Sequence, residues 1–435
     1  MQMKRFVLSL LTISCAATTL SAQFKYDKIK DDFLYDQPRV VEYYTQSRFN
    51  RTEGPFLHFG VKLHPNGLQG LTLNADAGWA FSNKWMQELA TSPGGAIGEQ
   101  DERFQYTLGV QQDFFLPQRL SFGASYFDAV YTSDQWVISG LENSIAALFG
   151  HNDYMDYIGR KGVKGFVDYK LAQIHNLRVE LSNHDYAPLN TAPNTDFSIF
   201  ARGSTYPQNP QALTAANIGD SLAASSQFIF GDFDETSLRF MGSFDFRDNP
   251  VFPIEGWYFE GVFEKTFGDV ETSGLFLTAK TYYPTTGNQK ARAKLMFGSR
   301  TNSFFFQHLI GLGGVGSLRG YRSKEFVGNR ALFGTVQYQF GGDILQKLPL
   351  RKIPFGETLS LGAFFDFGYA WIAERDVTAE ASGLFSVGEF SLSDLKTNVG
   401  FSLIITEGLA RFDFARRLDG EPGGWQVYFR ILDNF

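Results

Sequence analysis

The chain has 435 residues and a formal charge of −7, and this acidic balance argues against a nucleic-acid partner. Its single cysteine, Cys15, excludes an internal disulfide and a cysteine metal site. There are 45 Phe, 19 Tyr and 44 Gly but no run of 18 or more apolar residues, which excludes a transmembrane helix.

The chain opens as a secretory signal peptide. Lys4 and Arg5 supply the positive start, "FVLSLLTIS" the apolar stretch, and "LSA" at Leu20 to Ala22 a small-residue cleavage site before Gln23. A lipoprotein reading would need Cys15 as the acylated residue, and "TIS" before it lacks the leucine usual three positions upstream. Cleavage removes Cys15, so the mature chain has no thiol.

From residue 56 onward the dominant signal is a period of two. In "FLHFGVKLH", Leu57, Phe59, Val61 and Leu63 oppose His58, Gly60, Lys62 and His64. In "GLTLNADAGWAF", Leu71, Leu73, Ala75, Ala77, Trp79 and Phe81 share one face, against Thr72, Asn74, Asp76 and Gly78. In "KARAKLMFGSR", Ala291, Ala293, Leu295 and Phe297 oppose Arg292, Lys294, Gly298 and Arg300. Such segments predict strands at 56–63, 69–82, 103–115, 119–132, 162–173, 177–186, 193–203, 235–247, 256–267, 272–284, 288–301, 328–340, 358–372, 394–406, 408–417 and 424–433. That is an even count of 16, as bacterial outer-membrane barrels have. Charges on the second face are expensive in lipid, so that face is expected to line a polar lumen. The expected fold is all-β, a 16-stranded antiparallel transmembrane barrel. Residues 1–22 are the signal peptide, 23–55 a short periplasmic segment and 56–435 the barrel.

One insert departs from this period. In residues 139–160, Leu141, Ile145 and Leu148 are spaced for one face of a short amphipathic helix, which either plugs a barrel mouth or packs there for stability. Three groupings are candidate sites. His151, Asp153 and Asp156 could face a metal, but no second cluster supports them. Ser182 and His184 share a strand face from which Asp185 points away. His58 and His64 share a face but lie about 20 Å apart at 3.3 Å per residue. No catalytic site, metal or cofactor is expected from any of them.

Later segments carry a family resemblance. "FDFRDNPVFPIEGWYFEG" (244–261) contains Arg247, Asp248, Asn249, Pro250, Phe252, Pro253 and Gly256 in an RDNP-x-FP-x-x-G arrangement. Downstream, "GGVGSLRGYRSKEFVG" (313–328) is glycine-rich and basic, with Gly313, Gly314, Ser317, Leu318, Arg319, Gly320 and Tyr321. It lacks the Lys-Ser/Thr ending of a phosphate loop. "FFDFGYAW" (364–371), "GLARFDFARRLDG" and a final "WQVYFRILDNF" ending on Phe435 follow, and "RFNRTEGP" lies at 48–55. In this order and spacing the chain resembles the BamA/TamA superfamily of outer-membrane barrels, most densely in its C-terminal half. "RFNRTEGP" resembles the entry to that family's first strand.

The resemblance implies a loop that folds back into the lumen, with Arg319 pairing Asp366 on the wall. Strand phase agrees, since Leu361, Ala363, Phe365, Phe367, Tyr369 and Trp371 form the apolar face and leave Asp366 on the other. Where the family commonly has an inward glutamate this chain has Gln337, which keeps a hydrogen bond and loses a charge. The family's periplasmic POTRA modules find no room between Gln23 and Pro55, because a small domain needs at least about 40 residues. Two functions follow as expectations. One is assistance in assembling or translocating outer-membrane proteins, within a larger complex. The other is a transport pore or structural barrel. Outer-membrane lipids, periplasmic or lipoprotein partners and outer-membrane protein clients are the implied partners. Phe435 continues the outward phase of Trp425, Val427, Phe429 and Ile431 and is expected to act in barrel sorting.

Overall fold

A computed structural model of the chain describes residues 40–81, 104–115, 119–172, 174–189, 191, 198, 206, 209, 233–269, 271–287, 289–301, 308–340, 358–373, 383–385, 390–405, 409–420 and 423–431. The expected signal peptide and Phe435 lie outside them. The strands are β1 (Val41–Asn50), β2 (Gly54–Leu63), β3 (Leu71–Ala80), β4 (Phe104–Phe115), β5 (Arg119–Tyr131), β6 (Ile158–Leu171), β7 (His175–Pro188), β8 (Phe233–Asp245) and β9 (Gly256–Gly268). They continue as β10 (Ser273–Pro284), β11 (Lys290–Thr301), β12 (Ile310–Leu312), β13 (Phe326–Gly328), β14 (Arg330–Phe340), β15 (Leu359–Trp371), β16 (Lys396–Ile405), β17 (Ala410–Arg417) and β18 (Gln426–Ile431). One α-helix, α1 (Gly140–Gly150), lies between β5 and β6.

All strands except β12 and β13 form a single 16-stranded antiparallel sheet, in chain order from β1 at one end to β18 at the other. The order is a meander, in which each strand of the sheet lies beside the next one along the chain. β12 and β13 pair separately, Ile310 with Gly328 and Leu312 with Phe326, and form the stem of the loop that carries Arg319.

The strand count equals the expected one, with a different membership. β1 lies in the segment expected to precede the sheet, and its ladder with β2 runs from Val41↔Leu63 to Asn50↔Gly54. Its alternation is masked because Thr45 and Ser47 occupy the phase of Val41, Tyr43 and Phe49. "RFNRTEGP" is therefore the end of β1 and its turn into β2, not the entry to the first strand. The strand expected at 193–203 falls outside the described residues, apart from Ser198, which is in no strand.

Burial along the strands is inverted relative to a water-soluble protein. Phe59, Leu108, Phe240, Trp257, Leu277, Val336 and Phe429 are exposed, while Arg292, Arg300, Arg411, Glu264, Asp366 and Asp413 are buried. Apolar side chains exposed over strand after strand would be costly in water. Opposed to buried charge in period two, they are the pattern of a sheet facing lipid.

The chain divides into two compact units. One comprises Met1–Thr132, Asn143–Val167 and His184–Gln211; the other comprises Ser133–Glu142, Asp168–Asn183 and Ala212–Phe435. In the first, Phe49, Ala147, Leu148 and Tyr206 pack together. In the second, Leu312, Leu318 and Tyr321 pack with Met296, Ile310, Ala331, Phe333 and Ala370, and Trp136 joins them.

Candidate functional site

The second unit holds the Arg319 loop. Glycines let it turn: Gly313 (φ 121°), Gly314 (φ 84°) and Gly316 (φ 78°) all lie in the left-handed region. Ser317 Oγ accepts from Gly313 N at 3.0 Å, and Gly314 N donates to Leu318 O at 3.0 Å. A Cβ on Gly320 would lie 2.6 Å from Asn398 Cβ, so only glycine allows that approach to the sheet.

Register builds the receiving surface. Thr335, Asp366 and Asn398 stand directly opposite one another on β14, β15 and β16. Ser402 stands opposite Asp413 on β16 and β17, and Arg292 opposite Gln337 on β11 and β14. The Arg319 guanidinium docks here with 3% of its side chain exposed. Its Nε donates to Asp366 Oδ2 at 2.9 Å and its Nη2 to Asp366 Oδ1 at 2.6 Å, the fork geometry that suits arginine and carboxylate. Nη1 reaches Asp413 Oδ2 at 3.2 Å and Nη2 reaches Thr335 Oγ1 at 3.2 Å. The guanidinium also lies 3.4 Å from the Phe364 ring centroid, a cation–π contact.

Both carboxylates have further partners. Asn398 Nδ2 donates to Asp366 Oδ2 at 2.8 Å. Asp413 accepts from Ser402 Oγ at 2.5 Å and from Arg411 Nη2 at 2.7 Å. Gln337 accepts from Arg292 Nη2 at 2.7 Å and from Arg411 Nη1 at 3.4 Å. It thus serves the arginines beside the loop. Tyr321 anchors the loop's end, its hydroxyl donating to Thr397 O at 3.1 Å. Burial and the neighbouring Asp419 push that hydroxyl up to about 12, so it stays a donor at neutral pH. The sequence reading missed Asp413, Asn398 and Arg411. The signal for Asp413 was its strand phase in "ARFDFARR", where Phe412 and Phe414 take the other face.

The RDNP segment is a self-satisfied turn between β8 and β9. Arg247 Nη2 lies 2.6 Å from Asp245 Oδ2. Asp248 Oδ1 accepts from Ile254 N and Glu255 N, and Asn249 Oδ1 accepts from Val251 N and Phe252 N. Pro250 and Pro253 lie inside this turn, with Pro253 buried, and Gly256 closes it at φ 111°. A Cβ there would sit 2.3 Å from Phe246 O.

In the first unit the β1–β2 turn is held as firmly. Arg48 Nε and Nη2 both donate to Glu53 at 2.7 Å, and Gln105 and Asn50 also donate to it. Burial alone would raise the Glu53 carboxyl, but the Arg48 guanidinium outweighs it and holds it below the usual carboxylate range. Arg51 lies 2.5 Å from Asp156 Oδ1, and its N–H donates to Asp153 Oδ2 at 2.8 Å. The two aspartates of the candidate metal grouping therefore hold this turn. Asn143 of α1 donates to Asp153 Oδ1 at 2.8 Å, and Ser144 Oγ accepts from Phe49 N at 3.1 Å. The deeply buried residues of α1 include Asn143, Ser144 and Ala147, while Leu141 and Ile145 are half-buried. Its buried face is thus partly polar. Ser182 and His184 are buried, Asp185 is exposed, and His184 Nδ1 lies 3.1 Å from Arg160 Nη2. His58 lies 3.7 Å from Asp76 and His64 3.8 Å from Glu42.

A family model described as the Omp85 superfamily domain matches residues 100–431, well over half of the chain. The chain belongs to the Omp85 superfamily. No curated protein matches it. Among solved structures, it is similar to BamA from Haemophilus ducreyi lacking POTRA domains 1–3, with a TM-score of 0.57 and 11% identity. That match covers 91% of this chain and 70% of the other, and at this identity the likeness is one of fold. CdiB from Acinetobacter baumannii matches with a TM-score of 0.38, 11% identity and 90% coverage of this chain. CdiB from Escherichia coli matches with a TM-score of 0.36, 11% identity and 92% coverage. The chain spans 60% and 63% of these two. Within the Omp85 match lie the RDNP turn, the Arg319 loop and both of its carboxylate partners.

Proposed function

We propose that the chain is an integral outer-membrane β-barrel that assists the assembly or translocation of other outer-membrane proteins, as the membrane part of a larger complex. The observation that carries this reading is the end of the sheet. Among the described residues the order finishes on β18. An end strand presents backbone donors and acceptors that can template another strand, and strand addition is a general mode of peptide capture. Membrane placement draws support from the inverted burial and from Omp85 membership. Lipid would meet the apolar face, while client strands and periplasmic or lipoprotein partners would meet the sheet end and the turns.

Depletion in the native cell tests this reading. Loss of the protein is expected to lower the amount of folded, heat-modifiable outer-membrane proteins and to leave unfolded precursors in the periplasm. A pull-down of the tagged protein is expected to retain a stable partner. Unchanged levels of folded barrels, together with ion conductance by the purified protein in planar bilayers, would replace assembly with a transport pore.

A further inference from the structure

We infer that residues 133–142 form a strap between the Arg319 loop and the last strand of the sheet, with Glu142 as its latch. The hold on β18 and the seating of the loop are then one coupled device, whether or not the protein takes clients. Every contact in the argument lies within the second unit.

At the strand, Glu142 is buried, with 3% of its side chain exposed. Its Oε1 accepts from Arg430 Nε at 2.9 Å and from the Ile431 backbone N–H at 3.2 Å, and its Oε2 accepts from Arg430 Nη2 at 3.2 Å. One carboxylate therefore neutralises the buried cation of β18 and satisfies a backbone donor of the sheet's end strand. Such donors are the groups through which end strands pair with other chains. Among the described residues, β18 meets β17 from Ala410↔Ile431 to Ala415↔Gln426.

At the loop, the same strap is tied twice. Lys324 Nζ donates to Asp134 Oδ2 at 2.6 Å. A Cβ on Gly316 would lie 2.0 Å from Val137 O, so loop and strap meet backbone to backbone. The loop also touches the strand directly, since Tyr428 Oη donates to Tyr321 O at 3.2 Å. Loop, strap and strand thus close a ring of contacts, and groups linked in this way respond together rather than additively.

Amide exchange of the full-length protein in detergent micelles, read by mass spectrometry, tests the strap. Glu142→Gln is expected to raise exchange in the 426–431 peptide by at least about tenfold, with the 256–284 peptides unchanged. Lys324→Met is expected to raise exchange in 426–431 as well, by at least about threefold, although its bond is to Asp134. The double variant is expected to exceed the larger single effect little. Unchanged exchange at 426–431 in Glu142→Gln would overturn the latch. An effect of Lys324→Met confined to the loop, or strictly additive effects, would overturn the coupling. If Glu142→Gln gives no heat-modifiable band, Asp134→Asn carries the same measurement, and silence at 426–431 there overturns the proposal.

Discussion

A guanidinium buried to 3% of its side-chain surface survives away from water only because two carboxylates and a hydroxyl receive it. Its partners are unequal, and their inequality sets the expected outcome of mutation. Arg319→Ala leaves Asp366 with the amide of Asn398, while Asp413 keeps Arg411. Leaving a buried charge without its partner costs about 3–5 kcal/mol. Asp366→Asn is milder, because Arg319 keeps Asp413 and Thr335. Limited proteolysis in intact outer membranes is therefore expected to cleave within 313–328 in Arg319→Ala and more slowly in Asp366→Asn. The double variant should match Arg319→Ala alone. Equal cleavage in wild type and Arg319→Ala would show that the loop does not depend on this arginine. Gln337→Glu should act elsewhere, by placing a carboxylate between Arg292 and Arg411, where a charged acceptor is stronger than an amide by about 1–2 kcal/mol. Thermal unfolding is the measurement: a higher midpoint with unchanged loop cleavage is expected, and a lower midpoint would refute it. Asp366 was legible because one strand's phase is a local property. Asp413 lies 94 residues from Arg319, and their meeting depends on strand register, which no local pattern encodes.

Helix α1 and the strands of the large sheet from β2 onward were legible because each carries its own period, whereas the three-residue β12 and β13 are too short to show one. β1 was not, because its support is tertiary: Arg48 and Asn50 reach the buried Glu53, and Arg51 beside them reaches the half-buried Asp156. Those partners give the turn a pH dependence. The Glu53 carboxyl is held below its ordinary value of about 4.5, so its contribution is complete above that value. It is lost as pH falls through the lower folded value. Amide exchange in 41–50 is therefore expected to be flat from pH 7 to about 5, after correction for intrinsic rates, and to accelerate below about 4.5. Glu53→Gln should exchange faster at neutral pH and lose most of this dependence. An acid response that is as steep in Glu53→Gln as in wild type would assign the effect to another group.

At the scale of the molecule, sixteen strands put apolar side chains on one face of the sheet and charge on the other, and that distribution makes one substitution diagnostic. Leu277 is 42% exposed in the middle of β10, between Gly261 on β9 and Phe297 on β11. On a water-facing sheet, Leu277→Arg would be a surface change, usually within about 0.5 kcal/mol of neutral. On a lipid-facing sheet near the bilayer midplane, the same change costs about 2–4 kcal/mol. The protein itself should be β-rich by circular dichroism and shift on a mild detergent gel when boiled, because a paired sheet in detergent resists unfolding until heated. Leu277→Arg is expected to lower the heat-modifiable fraction in membranes severalfold, whereas Leu277→Phe, which keeps the face apolar, should leave it unchanged. Full assembly of Leu277→Arg would mean that this face meets water, and the outer-membrane placement would fall with it.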